Sequence, residues 1–299
     1  MALQPYLLQA PLMIAQADSM FAEEGLDVEF VQMTNAEGIP ALLRGELDVL
    51  PSLGTPALFN SMARGIPIRA VADRGFFDAE GCTFMGIVVP PGRAASTTRS
   101  PRRVKRISIQ RAHAPLYVIE KSLASVGLSV DSLDASTVPP LPEAEALGKG
   151  TLDAAFVGEP WLTRDVVAHK AELWLRAERV LPNAQIGFIF FGSKLLVGNR
   201  DVGRRFVIAY RRAIARYLEG KTPANVDIIA RVTGDTPELV RQSCWPSMRR
   251  NGRIDLASVL DFERWLQQKG VMPVPPTPAQ LWDSSFVAYA DSVLARRHQ

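Results

Sequence analysis

The sequence predicts an α/β protein of two similar lobes, each a sheet flanked by helices. Three observations carry this: a long motif is written twice, strand-like and helix-like runs alternate, and the chain can fill two cores. "RGELDVLPSLGTP" (44–56) returns as "KGTLDAAFVGEP" (149–160), both reading basic-Gly-x-Leu-Asp, an apolar run, then Gly-x-Pro. Upstream, "QAPLMIAQADSMFAEEGLDVEF" from Gln9 is echoed by "HAPLYVIEKSLASVGLSVDSL" from His113. Matched anchors lie 104 residues apart for Pro11 and Pro115, 102 for Gly25 and Gly127, 105 for Asp48 and Asp153, and 104 for Pro56 and Pro160. A period of that length suits two lobes and not a solenoid.

Each copy reads as strand, helix, strand, helix, strand. In the first, 3–8 is strand-like and Pro11 stands where a helix's first turn tolerates it. The amphipathic run 12–24 ends at Gly25, a good residue to follow a helix, and "LDVEFV" alternates like a strand. A short helix over 35–44 stops at Gly45, "LDVLPSL" is a buried strand, and Gly54-Thr55-Pro56 opens the next helix. The second copy gives strand "RISIQ", helix 115–126, a strand near 135–138, helix 143–149, strand "DAAFV" and the turn Gly158-Glu159-Pro160. Alternation of this kind implies largely parallel sheets. Gly45 and Gly150 are read as helix ends, Asp48 and Asp153 as strand starts, and the two Gly-x-Pro turns as sitting at the sheet edge where α/β folds bind ligands.

Composition excludes several classes. At 299 residues, 47% hydrophobic and 22% charged, the chain has the make-up of an ordinary globular protein. The net charge of +3 is mild. The basic stretch "RAASTTRSPRRVKR" (93–106) has no interleaved aromatics, so it reads as a solvated loop between lobes and nucleic acid is not expected as a partner. No run of apolar residues is long enough for a membrane helix. No export signal is visible, and the strand-like start leaves no lead-in, so either a signal segment has been removed or the chain never carried one. Cys82 and Cys244 lack CxxC spacing and allow one disulfide or two thiols.

The segments "APLMIAQADSMFAEEGLDVEF", "PALLRGELDVLPSLGTPALFNSMARGIPIRAVAD" and "LGKGTLDAAFVGEPW" resemble the periplasmic substrate-binding proteins of ABC importers. The group is the nitrate/sulfonate/taurine type, which includes binders of the thiamine pyrimidine precursor. The tail from "NGRIDLASVLDFERWLQQKG" is similar to that family's C-terminal helices. The resemblance implies a type II two-lobe clamp with two crossover strands, here 83–91 and 185–196. Lobe one is expected to hold 1–88 and 190–299, and lobe two 89–189. From about residue 199 the chain reads as helical, with Phe206, Tyr210, Ala213 and Tyr217 as one apolar core stripe.

In such a clamp the ligand faces the loops that follow the strands. That geometry nominates Gln9, Asn35, Thr55 and Arg74 from lobe one, and His113, Glu159 and Trp161 from lobe two. Helix starts after Gln9, Gly54 and His113 suit an anionic group, Trp161 offers an apolar wall, and Glu159 suits an amine or amidine. Each has a plain structural alternative: Gln9 and Asn35 as turn residues, Arg74 as a solvated charge, Trp161 as core, His113 as a cap, and Glu159 as a brace for its own turn. No metal site and no cofactor are expected. The resemblance implies a monomeric, periplasmic or membrane-anchored protein that captures a small organic ligand and delivers it to an ABC permease. The ligand is anionic, zwitterionic or amino-heteroaromatic, such as a sulfonate or a thiamine pyrimidine precursor. Enzymes on the same fold, a pyrimidine synthase and a sulfinate desulfinase, are the alternative. The desulfinase uses a cysteine nucleophile, for which Cys82 is the candidate by position, although "EGCTF" supplies no cationic or histidine partner. No nucleotide-binding or hydrolase motif is present.

Overall fold

The computed structural model describes residues 1–297, with the side chains of Pro140 and Leu141 excepted. The chain forms two units. The first holds Met1–Phe76, Gln185–Pro237 and the chain from Ser247 onward; the second holds Phe77–Ala184 and Glu238–Pro246. The division therefore falls earlier than the expected boundaries at 88/89 and 189/190, because each crossover strand joins one sheet completely. Residues 238–246, expected in lobe one, pack with the second unit.

The first unit contains β1 (Ala2–Leu3), β2 (Val31–Gln32), β3 (Val49–Leu53), β4 (Arg69–Asp73) and β10 (Gly187–Phe191). β1 pairs with β2 in parallel, β1 lies beside β3, and β10 runs antiparallel between β3 and β4. The second unit contains β5 (Met85–Val89), β6 (Arg106–Ser108), β7 (Asp134–Ser136), β8 (Ala154–Gly158) and β9 (Glu172–Arg176) in the order β7-β6-β8-β5-β9. Here β5 is the antiparallel strand, between β8 and β9. The two units thus share one plan. The sequence repeat is a topological repeat.

Local chemistry explains the elements. Gly45 and Gly150 both take positive φ, +72° and +69°, ending matched helices before matched strands. Thr34 and Glu37 form a capping box at the start of helix Asn35–Leu43. Three expectations fail locally, one of them the strand over "LDVEFV", which shrinks to Val31–Gln32. The strand over 3–8 shrinks to Ala2–Leu3, because Pro5 has no ladder donor and Leu7–Gln9 turn as a 3-10 helix. The helix over 12–24 divides into Ala10–Ala17 and Met20–Glu23 at Ser19, whose φ is 56°. Asp18 and Ser19 favour local backbone hydrogen bonding over helix continuation.

The core of the first unit is built on helix Arg200–Tyr217. Its stripe Phe206, Tyr210, Ala213 and Tyr217 is buried as expected. Phe206 stacks on Phe21 at 5.1 Å between ring centroids and meets Phe191 edge-on at 5.6 Å. In the second unit Val88, Leu147, Leu152, Ala155, Val157, Leu162 and Ala171 form the core over which β8 lies. Burying side chains of this size stabilises by about 1.5–3 kcal/mol each.

The chain leaves and re-enters the first unit at one place. Phe76 bridges to both Gln185 and Ser247, and Arg249 lies over the Phe76 ring at 4.1 Å. Buried Asp73 ties this junction, accepting from the backbone N–H groups of Gly75 (2.9 Å) and Arg249 (2.7 Å) and from the Gln185 amide. Burial pushes the Asp73 carboxyl up, against these donors. Tyr210 donates to the Asp73 carbonyl at 2.9 Å, linking the junction to the helical core. Among the described residues no helix is long and apolar enough to cross a membrane.

Candidate functional site

The nominated residues follow strand ends. In the first unit β3 and β4 share a direction, since each opposes β10, and Thr55 and Arg74 follow their carboxyl ends. Gln9 and Asn35 come after the parallel pair β1 and β2. In the second unit β8 is parallel to β6, so His113 and the Glu159–Trp161 turn lie beyond one common edge. This is the edge at which open α/β sheets receive ligands.

Several nominated side chains are already engaged. Gln9, 1% exposed, accepts the Gln4 N–H at 3.1 Å and so braces the first turn. Thr55 caps helix Pro56–Ala63, accepting the Leu58 N–H at 3.3 Å. Asn35 is the first residue of its helix, with Thr34 doing the capping. His113 opens helix His113–Ala124, where no side chain caps the first turn, so that helix start presents free N–H groups. Trp161 packs against the second unit's core and is covered on a ring face by Arg164 at 4.1 Å. Its expected role as an open apolar wall is reduced accordingly.

Glu159 departs most from expectation. Its carboxylate accepts from the Thr163 hydroxyl (2.7 Å), the Thr163 N–H (3.1 Å) and the Cys244 N–H (2.8 Å). These bonds brace the turn and hold residues 238–246. The amine receptor expected there is engaged by the protein itself.

Arg74 departs in the opposite direction. Nominated as a ligand contact with a solvated charge as its plain alternative, it is 4% exposed and so is not a solvated charge. Its backbone N–H bonds to the Gly187 carbonyl, and its guanidinium lies over Gly187, where a Cβ would stand 2.8 Å from Nη2. Gly187 faces Leu53 on β3, so the cation sits beside the strand end that leads into helix Pro56–Ala63. Nε is buried without a partner, and among the described residues no hydrogen bond or ion pair engages the guanidinium. Burial lowers its pKa to about 10, which leaves it cationic at neutral pH. The neighbouring Asp73 carboxyl favours the charged form without bonding to it, and an anion at this edge would add the direct contact that a buried guanidinium otherwise lacks.

Sequence reasoning missed two features here and left a third open. One is the Asp73–Gln185–Arg249 network, whose members are far apart in sequence. A second is Glu143, 4% exposed, with its carboxyl pushed up to about 7 by burial. The third is a disulfide between Cys82 and Cys244, with Cα atoms 5.5 Å apart. It settles the open reading of the two cysteines and fastens 238–246 to the second unit.

The profile of the family described as NMT1/THI5 like matches residues 8–220. The chain belongs to the NMT1/THI5-like family. No curated protein matches its sequence. Among solved structures, this NMT1/THI5-like protein is similar to the ligand-binding component of an ABC-type import system from Staphylococcus aureus, with TM-score 0.77, 18% identity and 97% of each chain covered. It is similar to the periplasmic aliphatic sulphonate binding protein SsuA from Escherichia coli, with TM-score 0.76 and 12% identity over 95% of this chain and 91% of that one. The desulfurization enzyme DSZB shares the fold at TM-score 0.66 and 14% identity, over 97% and 96% of the two chains. The fold of the NMT1/THI5-like chain is therefore that of periplasmic binding proteins. Among its described residues, no group of three His, Cys, Asp or Glu is placed to hold a metal ion.

Proposed function

We propose that this protein is the solute-binding component of an ABC importer that captures an anionic organic solute, a sulfonate before all, and delivers it to a membrane permease. The observation that carries the reading is Arg74, a buried and unpartnered cation at the carboxyl edge of β3 and β4. In the second unit, the open helix start at His113 offers donors of a kind that also suits an anion. Engagement of Glu159 by Thr163 and Cys244 lowers the standing of amino-heteroaromatic ligands, which would need a free carboxylate. The disulfide suits an oxidising compartment outside the cytoplasm. It also counts against the desulfinase-like alternative, because Cys82 is bonded to Cys244 and offers no thiolate.

Native mass spectrometry of protein purified without refolding, followed by calorimetry with taurine, an alkanesulfonate and an aminopyrimidine, tests the reading. A sulfonate bound and returned unchanged supports it, and ligand should also shrink the radius of gyration by favouring a closed state. Retention of an uncharged pyrimidine, or conversion of the ligand, would replace it.

A further inference from the structure

Residues 93–106 contain Arg93, Arg99, Arg102, Arg103, Lys105 and Arg106 and no acidic residue. The rest of the chain carries 28 basic against 31 acidic residues, so the whole excess of positive charge comes from this one segment. In the second unit it follows β5 as helix Ala94–Arg99 and a 3-10 turn, Pro101–Arg103, and then enters β6. β5 runs against β8, and β8 runs with β6. The segment therefore lies at the amino edge of β6 and β8, away from His113 and Glu159.

Partnering within the segment is uneven. Arg106 pairs with Asp153 at 2.9 Å, and neighbouring Lys149 pairs with Glu145 at 3.3 Å. Arg93, Arg99, Arg102, Arg103 and Lys105 are exposed, and among the described residues none has a carboxylate partner. The backbone beneath them is held firmly. The Ala94 N–H donates to Glu172 at 2.9 Å, the Lys105 and Arg106 N–H groups donate to Asp153, and Val104 is buried. The result is a supported platform of five free cations.

The chemistry of the platform selects its partner. A protein interface is organised around aromatic or large aliphatic anchors, and Val104, the one large aliphatic side chain in the segment, points inward. Proteins hold single-stranded nucleic acid by stacking its bases on aromatics interleaved with the cations, and the segment has none. A layer of lipid headgroups asks for neither anchor nor stacking, only for clustered Lys and Arg within a Debye length of the phosphates. We propose that residues 93–105 adsorb the protein to an anionic phospholipid membrane through its headgroup phosphates. Adsorption by this edge leaves the ligand edge of the second unit free and keeps the protein near the membrane plane.

The test is flotation of the intact protein with vesicles of phosphatidylcholine alone or with about one-quarter phosphatidylglycerol, at about 50 and 300 mM salt. Wild type should float with the anionic vesicles at low salt and be released at high salt. Arg99→Gln, Arg102→Gln and Arg103→Gln combined should lower partitioning roughly a hundredfold, with unchanged melting temperature and ligand affinity. Equal binding to neutral vesicles, no binding to anionic ones, or full binding by the triple variant would overturn the proposal. So would tighter retention by a short oligonucleotide than by the anionic vesicles, which would assign the surface to nucleic acid.

Discussion

The Glu159 carboxylate accepts the backbone N–H of Cys244 across 85 residues of sequence, at 2.8 Å. One side chain thus joins the tip of the second Gly-x-Pro turn to a segment that arrives from the helical region. Hydrogen bonds to a charged group contribute about 1.5–3 kcal/mol each, and Glu159 accepts three. Glu159→Ala should therefore lower stability by at least about 2 kcal/mol in urea denaturation while changing sulfonate affinity only a few fold. A large affinity loss in a variant of wild-type stability would return Glu159 to the ligand.

The Cys82–Cys244 bond closes 162 residues. Reduction, or Cys82→Ser with Cys244→Ser, should cost up to about 5 kcal/mol, the loop-entropy limit for such a closure. The loss should be concentrated locally, with limited proteolysis cutting first near 238–246. An unchanged cleavage pattern and urea midpoint after reduction would show that packing alone holds the segment.

Arg74→Met removes a buried cation whose guanidinium forms no hydrogen bond or ion pair among the described residues, and keeps most of the side chain's volume. Stability without ligand should stay level or rise, because such a charge is a burden on the empty fold. Sulfonate affinity should fall by roughly a hundredfold, the worth of a charge-assisted hydrogen-bond pair. Thermal melts with and without an alkanesulfonate separate the two effects, and a destabilised variant that still binds would remove Arg74 from the site.

Glu263 is 2% exposed with an unpartnered Oε1, and burial raises its pKa from 4.5 to about 7. The folded state then holds a proton that the unfolded chain releases. Its contribution to stability should fall as pH rises from about 4.5 to about 7 and be flat above. Glu143 acts in the same direction through the same window. Glu263→Gln should accordingly raise the melting temperature at about pH 8 and leave it almost unchanged near pH 4.5. An equal gain at both would point to packing and not to charge.

Much of the fold was legible because its signals are local or repeated. Asp48 and Asp153 precede matched strands, and the anchors at Pro11 and Pro115 open matched helices, as the repeat requires. Even there the copies differ. Asp153 accepts two backbone N–H groups and pairs with Arg106, whereas Asp48 pairs with Lys194 at 3.4 Å and acts electrostatically on the Met1 ammonium. The site was less legible for a physical reason. Charged residues default to solvent in any reading by residue type, so a buried Arg74 and a committed Glu159 follow only from tertiary neighbours. Gly187 and Cys244 lie far along the chain from both, and no spacing rule connects them.

The position of β10 also sets an order of assembly. It is the middle strand of β3-β10-β4, yet it is synthesised after every strand of the second unit. A growing chain that has passed Ala184 can complete β5 to β9 while β3 and β4 still flank a gap. The inserted unit can thus fold first on the ribosome, as a nearly continuous stretch of chain. The outer unit must wait with an open seam until Gly187–Phe191 arrives. Anything that has to keep this protein unfolded in transit has its longest opportunity in that seam.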